Sequence, residues 1–282
     1  MQVDDHFLSH EHFQLIDCQT CGLRATYPRP SPNKLPHYYH SPHYLSHSNR
    51  QHSFSDRLYH IARAWGLRNK LGILRHHHAA GPVLDIGCGT GAFLAYLAKR
   101  GYSVAGVEPE PAARSLAQTC LPGSSIFSSL DQVPVEHRFG TVTLWHVLEH
   151  VENPLTTLQT IHSRTTDNAM LFVAVPDRDS WDANHYGPDW AAWDVPRHLH
   201  HFRRTDIEDL LQRSGFTLAH TKRMWMDAFY ISMLSERYRG ATTGVDLLKG
   251  IPWGAWSNAV SLFSSKPTSS TLHIARRNST TA

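Results

Sequence analysis

Short apolar runs alternate with helix-period segments along most of the chain. From Pro82 the runs read PVLDI, SVAGV, SIF, TVTLW and AMLFVAV, and between them residues 92–100, 110–119 and 153–163 carry apolar positions three and four apart. A further helix is expected over 206–214, the strand FTLAHTKR follows it, and TLHIARR supplies the last strand. Runs that are apolar on both faces, alternating with crossover helices, predict an α/β fold built on a doubly wound, mostly parallel sheet. Residues 224–269 form an insertion before the last strand, with helices expected in DAFYISMLSERYR and WSNAVSLF.

Upstream the pattern changes. Residues 1–50 are rich in His, Tyr, Ser and Pro, and YPRPSPNKLP enforces extended or turn geometry, so an irregular N-terminal extension is expected. Residues 51–80 read as a helical lead-in, with Leu58, Ile61, Ala62, Trp65, Leu71 and Leu74 on an apolar face and His76–His78 as its polar C-terminal turn. The main domain then spans 81–282. Residues 37–49, HYYHSPHYLSHSN, suit either a lid over a ligand or a solvated linker.

Composition narrows the setting. The chain has 282 residues, of which 41% are hydrophobic, enough for a substantial core. A formal charge of +3 is too small to mark a nucleic-acid footprint, and no nucleic-acid partner is expected. No run approaches the roughly 18 apolar residues of a membrane span. Stable membrane insertion is therefore not expected. The first twenty residues include Asp4, Asp5 and Glu11 and lack the order of a signal peptide, which points to the cytoplasm. Four cysteines, Cys18, Cys21, Cys88 and Cys120, make no disulfide framework and fit reducing conditions.

The stretch VLDIGCGTG carries the chemistry. Gly87, Gly89 and Gly91 let the chain turn tightly at the carboxyl end of a strand and let backbone N–H groups approach a ligand. The spacing is not that of dinucleotide binders, and Asp85 sits where a pyrophosphate would meet a carboxylate. A cationic ligand fits better. S-adenosylmethionine carries an ammonium and a sulfonium for Asp85, and Glu108, ending the second strand of the domain, is placed to accept hydrogen bonds from both ribose hydroxyls.

VLDIGCGTG, GVEP and LWHVLEHVENP together resemble the class I S-adenosylmethionine-dependent methyltransferases, in order and approximate spacing, over most of residues 80–223. The resemblance implies a Rossmann-like, seven-stranded sheet and S-adenosylmethionine as cofactor. It implies that Asp85, Gly87, Cys88, Gly89 and Gly91 line the methionine side, that Glu108 holds the ribose, and that Ser129 and Leu130 lie beside the adenine.

Methyl transfer is an in-line displacement, and a base is needed only where the acceptor must lose a proton. His146, ending the fourth strand of the domain, is the first candidate for that base; it equally suits a residue that shapes the pocket. His146, Glu149 and His150 have metal-ligand spacing, H-x-x-E-H. Asn153–Pro154 leaves little room for the helix such a site needs, so no metal is expected and Glu149 and His150 are read as fixing the loop. The segment WAAWDVPRHLHHF, 190–202, reads as an acceptor region, with His198 and His201 as alternative bases and Arg197 as a clamp for an anionic acceptor; it suits equally a loop that closes the core. Its W-x-x-W-D-x-P-R-H pattern resembles a bacterial branch related to ubiquinone-biosynthesis O-methyltransferases. That branch begins with a cysteine knuckle, of which Cys18 and Cys21 are half. With His6, His10 and His12 as the only upstream partners, a remnant turn is favoured over a zinc site. WGAWSNAVSLF, 253–263, reads as a cover over the acceptor pocket. The expected function is methyl transfer to a small-molecule acceptor, at oxygen, with a nucleic-acid or protein methyltransferase or a non-catalytic S-adenosylmethionine-binding module as the alternatives; oligomeric state is not legible.

Overall fold

The computed structural model describes residues 1–31, 33–39 and 54–278. Most of the expected lid, residues 40–49, lies outside these. The described residues form eight α-helices and eleven strands. In chain order the main domain runs α1 (Phe54–His76), β4 (Val83–Ile86), α2 (Ala92–Ala98), β5 (Val104–Val107), α3 (Pro111–Cys120), β6 (Ser125–Phe127), β7 (Phe139–Trp145), α4 (Pro154–Ser163) and β8 (Thr165–Pro176). It continues with α5 (Trp181–Tyr186), β9 (His200–His201), α6 (Arg204–Arg213), β10 (Phe216–Arg223), α7 (Trp225–Tyr238), α8 (Val245–Phe263) and β11 (Ser270–Arg277).

Seven strands form one sheet in the order β10-β11-β8-β7-β4-β5-β6. The predicted Rossmann-like, mostly parallel architecture is present. β4 pairs in parallel with β5 on one edge and β7 on the other, so the strand order reverses beside β4. A crevice at such a reversal is where doubly wound sheets take ligands.

The chain divides into two compact units, one comprising residues 41–145, 158–172 and 275–282, the other 1–40, 146–157 and 173–274. In the first, Leu84, Leu94, Leu97, Val142 and Leu144 are fully buried. Gly106 permits tight packing there: a Cβ on it would lie 2.7 Å from Cys88 Sγ and 2.8 Å from Leu94 Cδ1. α3 starts as its sequence dictates, with Pro111 in the first turn and the Glu110 side chain accepting from Ala113 N–H at 2.6 Å.

In the second unit the N-terminal residues correct the expectation of an irregular extension. β1 (Gln2–Asp4), β2 (His12–Asp17) and β3 (Arg24–Tyr27) join β9 in a four-stranded sheet, in that order. The pairings are antiparallel. The reason is visible in β2, HFQLID, where buried Phe13 and Leu15 alternate with exposed His12, Gln14 and Ile16. Both pack with Val3, Trp190, Trp193 and Val195 in one apolar cluster.

The insertion is also more ordered than its sequence suggested. α8 begins at Val245, well before the expected Trp256, and contains Pro252. Gly250 and Gly254 bring it against α7: added Cβ atoms would lie 2.5 Å from Met233 Cα and 2.8 Å from Phe229 Cα. Asp182 in α5 ties this unit together, accepting from Trp190 Nε1 at 2.7 Å, Ser257 Oγ at 2.8 Å and Ser269 Oγ at 2.7 Å. It is fully buried. Asp182→Ala leaves three buried donors without an acceptor, at about 1–3 kcal/mol for each group left unsatisfied. We expect urea unfolding to show a loss of at least about 3 kcal/mol; a loss below about 1 kcal/mol would show that Asp182 is not this hub.

Candidate functional site

The glycine loop follows β4 directly. Gly87, Gly89 and Gly91 all have positive φ, at 69°, 55° and 75°, which side chains rarely tolerate. Nothing lies within 4 Å of where a Gly89 Cβ would sit, so the loop faces open space at that residue.

Two acids frame the loop. Asp85 is 3% exposed, and the parallel register sets it beside Thr143, whose hydroxyl donates to Asp85 Oδ1 at 2.5 Å. Burial pushes the Asp85 carboxyl up to about 6, against the pull of Lys70 and of the Thr143 hydroxyl, while the Glu108 charge adds to the rise. Such a carboxylate gains from a cation. Glu108 accepts from Gly89 N–H through Oε2 at 2.8 Å and from Glu110 N–H through Oε1 at 2.9 Å. Burial raises this carboxyl, and the two N–H groups oppose the rise. Each oxygen keeps a lone pair for a further donor, as a ribose diol requires. Cys88 is buried, its thiol pushed up to about 12 by burial and by Asp85 and Glu108, which leaves it unreactive. Ser129 and Leu130 are half-buried just after β6.

Three contributors were not read from sequence: Thr143, Lys70 and Trp145. Lys70 Nζ stands 4.4 Å from the centre of the Trp145 ring and 5.4 Å from that of Phe93. The parallel pairing of VLDI with TVTLW would have found Thr143.

A second constellation lies in the other unit. His146 has φ 57°, an unusual backbone conformation outside glycine, of the kind that concentrates at functional sites. Its Nε2 is 3.1 Å from Asp227 Oδ2 and its Nδ1 is 3.5 Å from Glu149 Oε1. Burial would lower the imidazole, but Asp227 and Glu149 outweigh it and raise it to about 10. Burial opposes the charge on Glu149 as well, and His146, His198 and His150 together still hold its carboxyl below the usual range. His150 goes down to about 4 through burial and the neighbouring His198.

The Trp/His segment is packed rather than open. Trp190, Trp193, His198, His201 and Phe202 are all buried, the two tryptophans donating to Asp182 and to Gly187 O. Arg197 is not a free clamp: its guanidinium is committed to Asp194 at 2.7 Å, Asp5 at 2.9 Å and Tyr38 O at 3.2 Å. His201 Nε2 lies 2.9 Å from Thr26 Oγ1, and burial with the nearby positive groups drives the ring well below the usual histidine range. Cys18 and Cys21 sit in the β2–β3 turn, both exposed. His6 and His12 pair elsewhere, with Asp189 and Asp4. Among the described residues, no group of three ligands includes either cysteine.

The strand reversal, the glycine loop and an acid pair in place of a phosphate cradle define a Rossmann-like domain suited to a cationic nucleoside, and S-adenosylmethionine fits that donor set. A family model described as "Methyltransferase domain" matches residues 45–221, and the chain belongs to that family. A ubiquinone biosynthesis O-methyltransferase of Pseudomonas aeruginosa is 28% identical over 131 residues, 43% of this chain and 56% of that protein. One from Histophilus somni is 26% identical over 133 residues, with the same shares. The chain thus spans about half the length of the curated relatives it matches. The magnesium protoporphyrin IX methyltransferase of Synechocystis superposes with a TM-score of 0.52 at 16% identity, covering 87% of this chain and 94% of that one, a likeness of fold.

Cofactor affinity should follow the Asp85 charge. A carboxyl raised to about 6 is ionised above that pH, so affinity for S-adenosylmethionine should be steady near pH 7.5 and fall as the pH drops through about 6. Asp85→Asn should lose about 1–3 kcal/mol of binding and most of this slope in calorimetry. An unchanged slope in the variant would assign the titration to another group.

Proposed function

We propose that this chain transfers a methyl group from S-adenosylmethionine to a small-molecule acceptor, at an oxygen. The observation that carries the reading is the acid pair around the glycine loop, in a chain of the methyltransferase family. When bound, S-adenosylmethionine supplies the electrophilic methyl group. Asp85 faces its positive amino-acid end and Glu108 its ribose. Cys88 and the three glycines line the methionine side. Ser129 and Leu130 take the adenine side.

A hydroxyl acceptor must give up its proton. His146, which follows β7 directly, is backed by Asp227 at 3.1 Å and is 36% exposed at its side chain. A histidine so backed holds a proton well and favours an acceptor oxygen that carries negative charge at transfer. His198 and His201 are buried and bonded to Ala192 O and Thr26, which supports a positioning role for both. The relatives' name, O-methyltransferase, agrees with oxygen as the acceptor atom. The reading includes a cytoplasmic setting and no nucleic-acid partner, in keeping with the formal charge of +3. No helix of the described residues is long and apolar enough to cross a membrane.

Incubation with methyl-labelled S-adenosylmethionine and cell extract should yield a labelled small molecule carrying a new methyl ether or ester. Label found only in protein or nucleic acid would overturn the reading. His146→Ala should lower turnover by about 10²–10⁴-fold with cofactor affinity nearly constant. If His198→Ala or His201→Ala did this while His146→Ala stayed within about tenfold of the parent, the role assigned to His146 would pass to that histidine.

A further inference from the structure

The fold gathers Glu149, His150 and His198 into one constellation, with a ligand atom of each within 4.8 Å of the others. Among the described residues this is the one group of three metal-ligand side chains so placed. The H-x-x-E-H spacing alone predicts no metal, because Asn153–Pro154 leaves little room for the helix such a site needs. No helix is needed, because the third ligand arrives from the turn before β9.

That arrival is fixed by backbone. The carbonyl of Glu149 accepts from Leu199 N–H at 2.8 Å and from His200 N–H at 3.2 Å, which locks the loop after β7 to the segment carrying His198. His198 Nδ1 lies 2.9 Å from Ala192 O, a carbonyl that can only accept, so Nδ1 carries a hydrogen and Nε2 is the nitrogen a metal would take once the ring loses its other proton. That Nε2 is 4.0 Å from Glu149 Oε1 and 3.9 Å from Asp194 Oδ2. His150 Nδ1 is engaged by Arg197 O at 3.0 Å and the Tyr39 hydroxyl at 3.1 Å, leaving its Nε2. An imidazole oriented by a carbonyl on its far nitrogen is the usual support of a metal-bound histidine.

An independent observation points to a ligand. Glu149 is 1% exposed, and neither of its carboxylate oxygens accepts a hydrogen bond; its nearest charged neighbour is the His146 ring, with Nδ1 3.5 Å from Oε1. Leaving a buried carboxylate without donors is costly, and a divalent cation supplies what the missing donors do not.

We propose that Glu149, His150 and His198 form a binding site for a divalent transition-metal ion of the zinc class. Two imidazole nitrogens and one carboxylate oxygen suit zinc, cobalt or iron(II) and disfavour magnesium and calcium, which take oxygen ligands. Asp194 Oδ2, 3.9 Å from His198 Nε2, is already bonded to Arg197, and His146 Nδ1 stands 3.5 Å from Glu149 Oε1. The site is independent of the cysteine turn and does not rest on the proposed methyl transfer.

The test uses the full chain, stripped with a chelator and titrated with zinc(II) against a competing chromophoric chelator. One equivalent should bind tightly, with Kd below about 1 μM, above the weak background expected of a chain with 22 histidines. Cobalt(II) should give visible d–d bands at one equivalent. Glu149→Gln and His198→Ala should each weaken zinc binding by at least about 100-fold, whereas Cys18→Ser with Cys21→Ser should leave it at one equivalent. Binding of zinc that is weak in the parent, or tight binding lost on replacing the cysteines but kept in His198→Ala, would overturn the proposal. Should either ligand variant fail to fold, the parent decides: absence of cobalt bands, or no rise in Tm on adding zinc to the stripped chain, counts against the site.

Discussion

A carboxylate that leaves water must find donors, and this chain buries a series of them. The solutions differ and organise much of the structure. Asp5, fully buried, gathers the backbone N–H groups of Phe7, Leu8 and Ser9 and the guanidinium of Arg197, which shapes the β1–β2 connection. Asp182 gathers three side-chain donors from three segments. Glu108 takes two backbone N–H groups and is thereby aimed, and Asp85 takes one hydroxyl and stays poorly satisfied. Glu149 accepts no hydrogen bond and has only the His146 ring, 3.5 Å from Oε1, beside it. Read as a gradient, full satisfaction marks scaffold, and partial satisfaction marks the places built for something else to arrive.

The α/β architecture was legible because its signals are local. Apolar runs such as VLDI and AMLFVAV, bounded by turn residues and alternating with helix-period segments, read as covered strands, and three glycines after one of them read as a turn. The acid pair was legible for the same reason, since strand ends are visible in the pattern. What stayed hidden depended on partners distant in the chain. Thr143 gains its role from register with Asp85, and His198 gains its role from the carbonyl of Glu149. The N-terminal sheet was partly readable in the alternation of HFQLID, but the prolines and histidines around it masked that short run.

The Trp/His segment shows where composition misleads. Aromatic and charged side chains outside regular structure suit a pocket lining and a core equally well. Here the tryptophans pack with Val3, Phe13 and Leu15, and Arg197 spends its donors on two aspartates and a carbonyl. The chemistry that a pocket needs and the satisfaction that a core needs draw on the same residue types. Only the hydrogen-bond partners separate them.

The fate of Cys88 has a practical side. Its thiol, pushed up to about 12 and covered by β5, holds almost no thiolate at neutral pH, so the glycine loop is chemically quiet despite containing the most nucleophilic side-chain type. Cys18, Cys21 and Cys120 are exposed, and the backbone N–H groups of Cys21 and Thr20 lower the Cys18 thiol. A maleimide dye would therefore decorate the N-terminal hairpin and the end of α3 and spare the loop. The protein thus carries its own handles for fluorescence or spin-label spectroscopy.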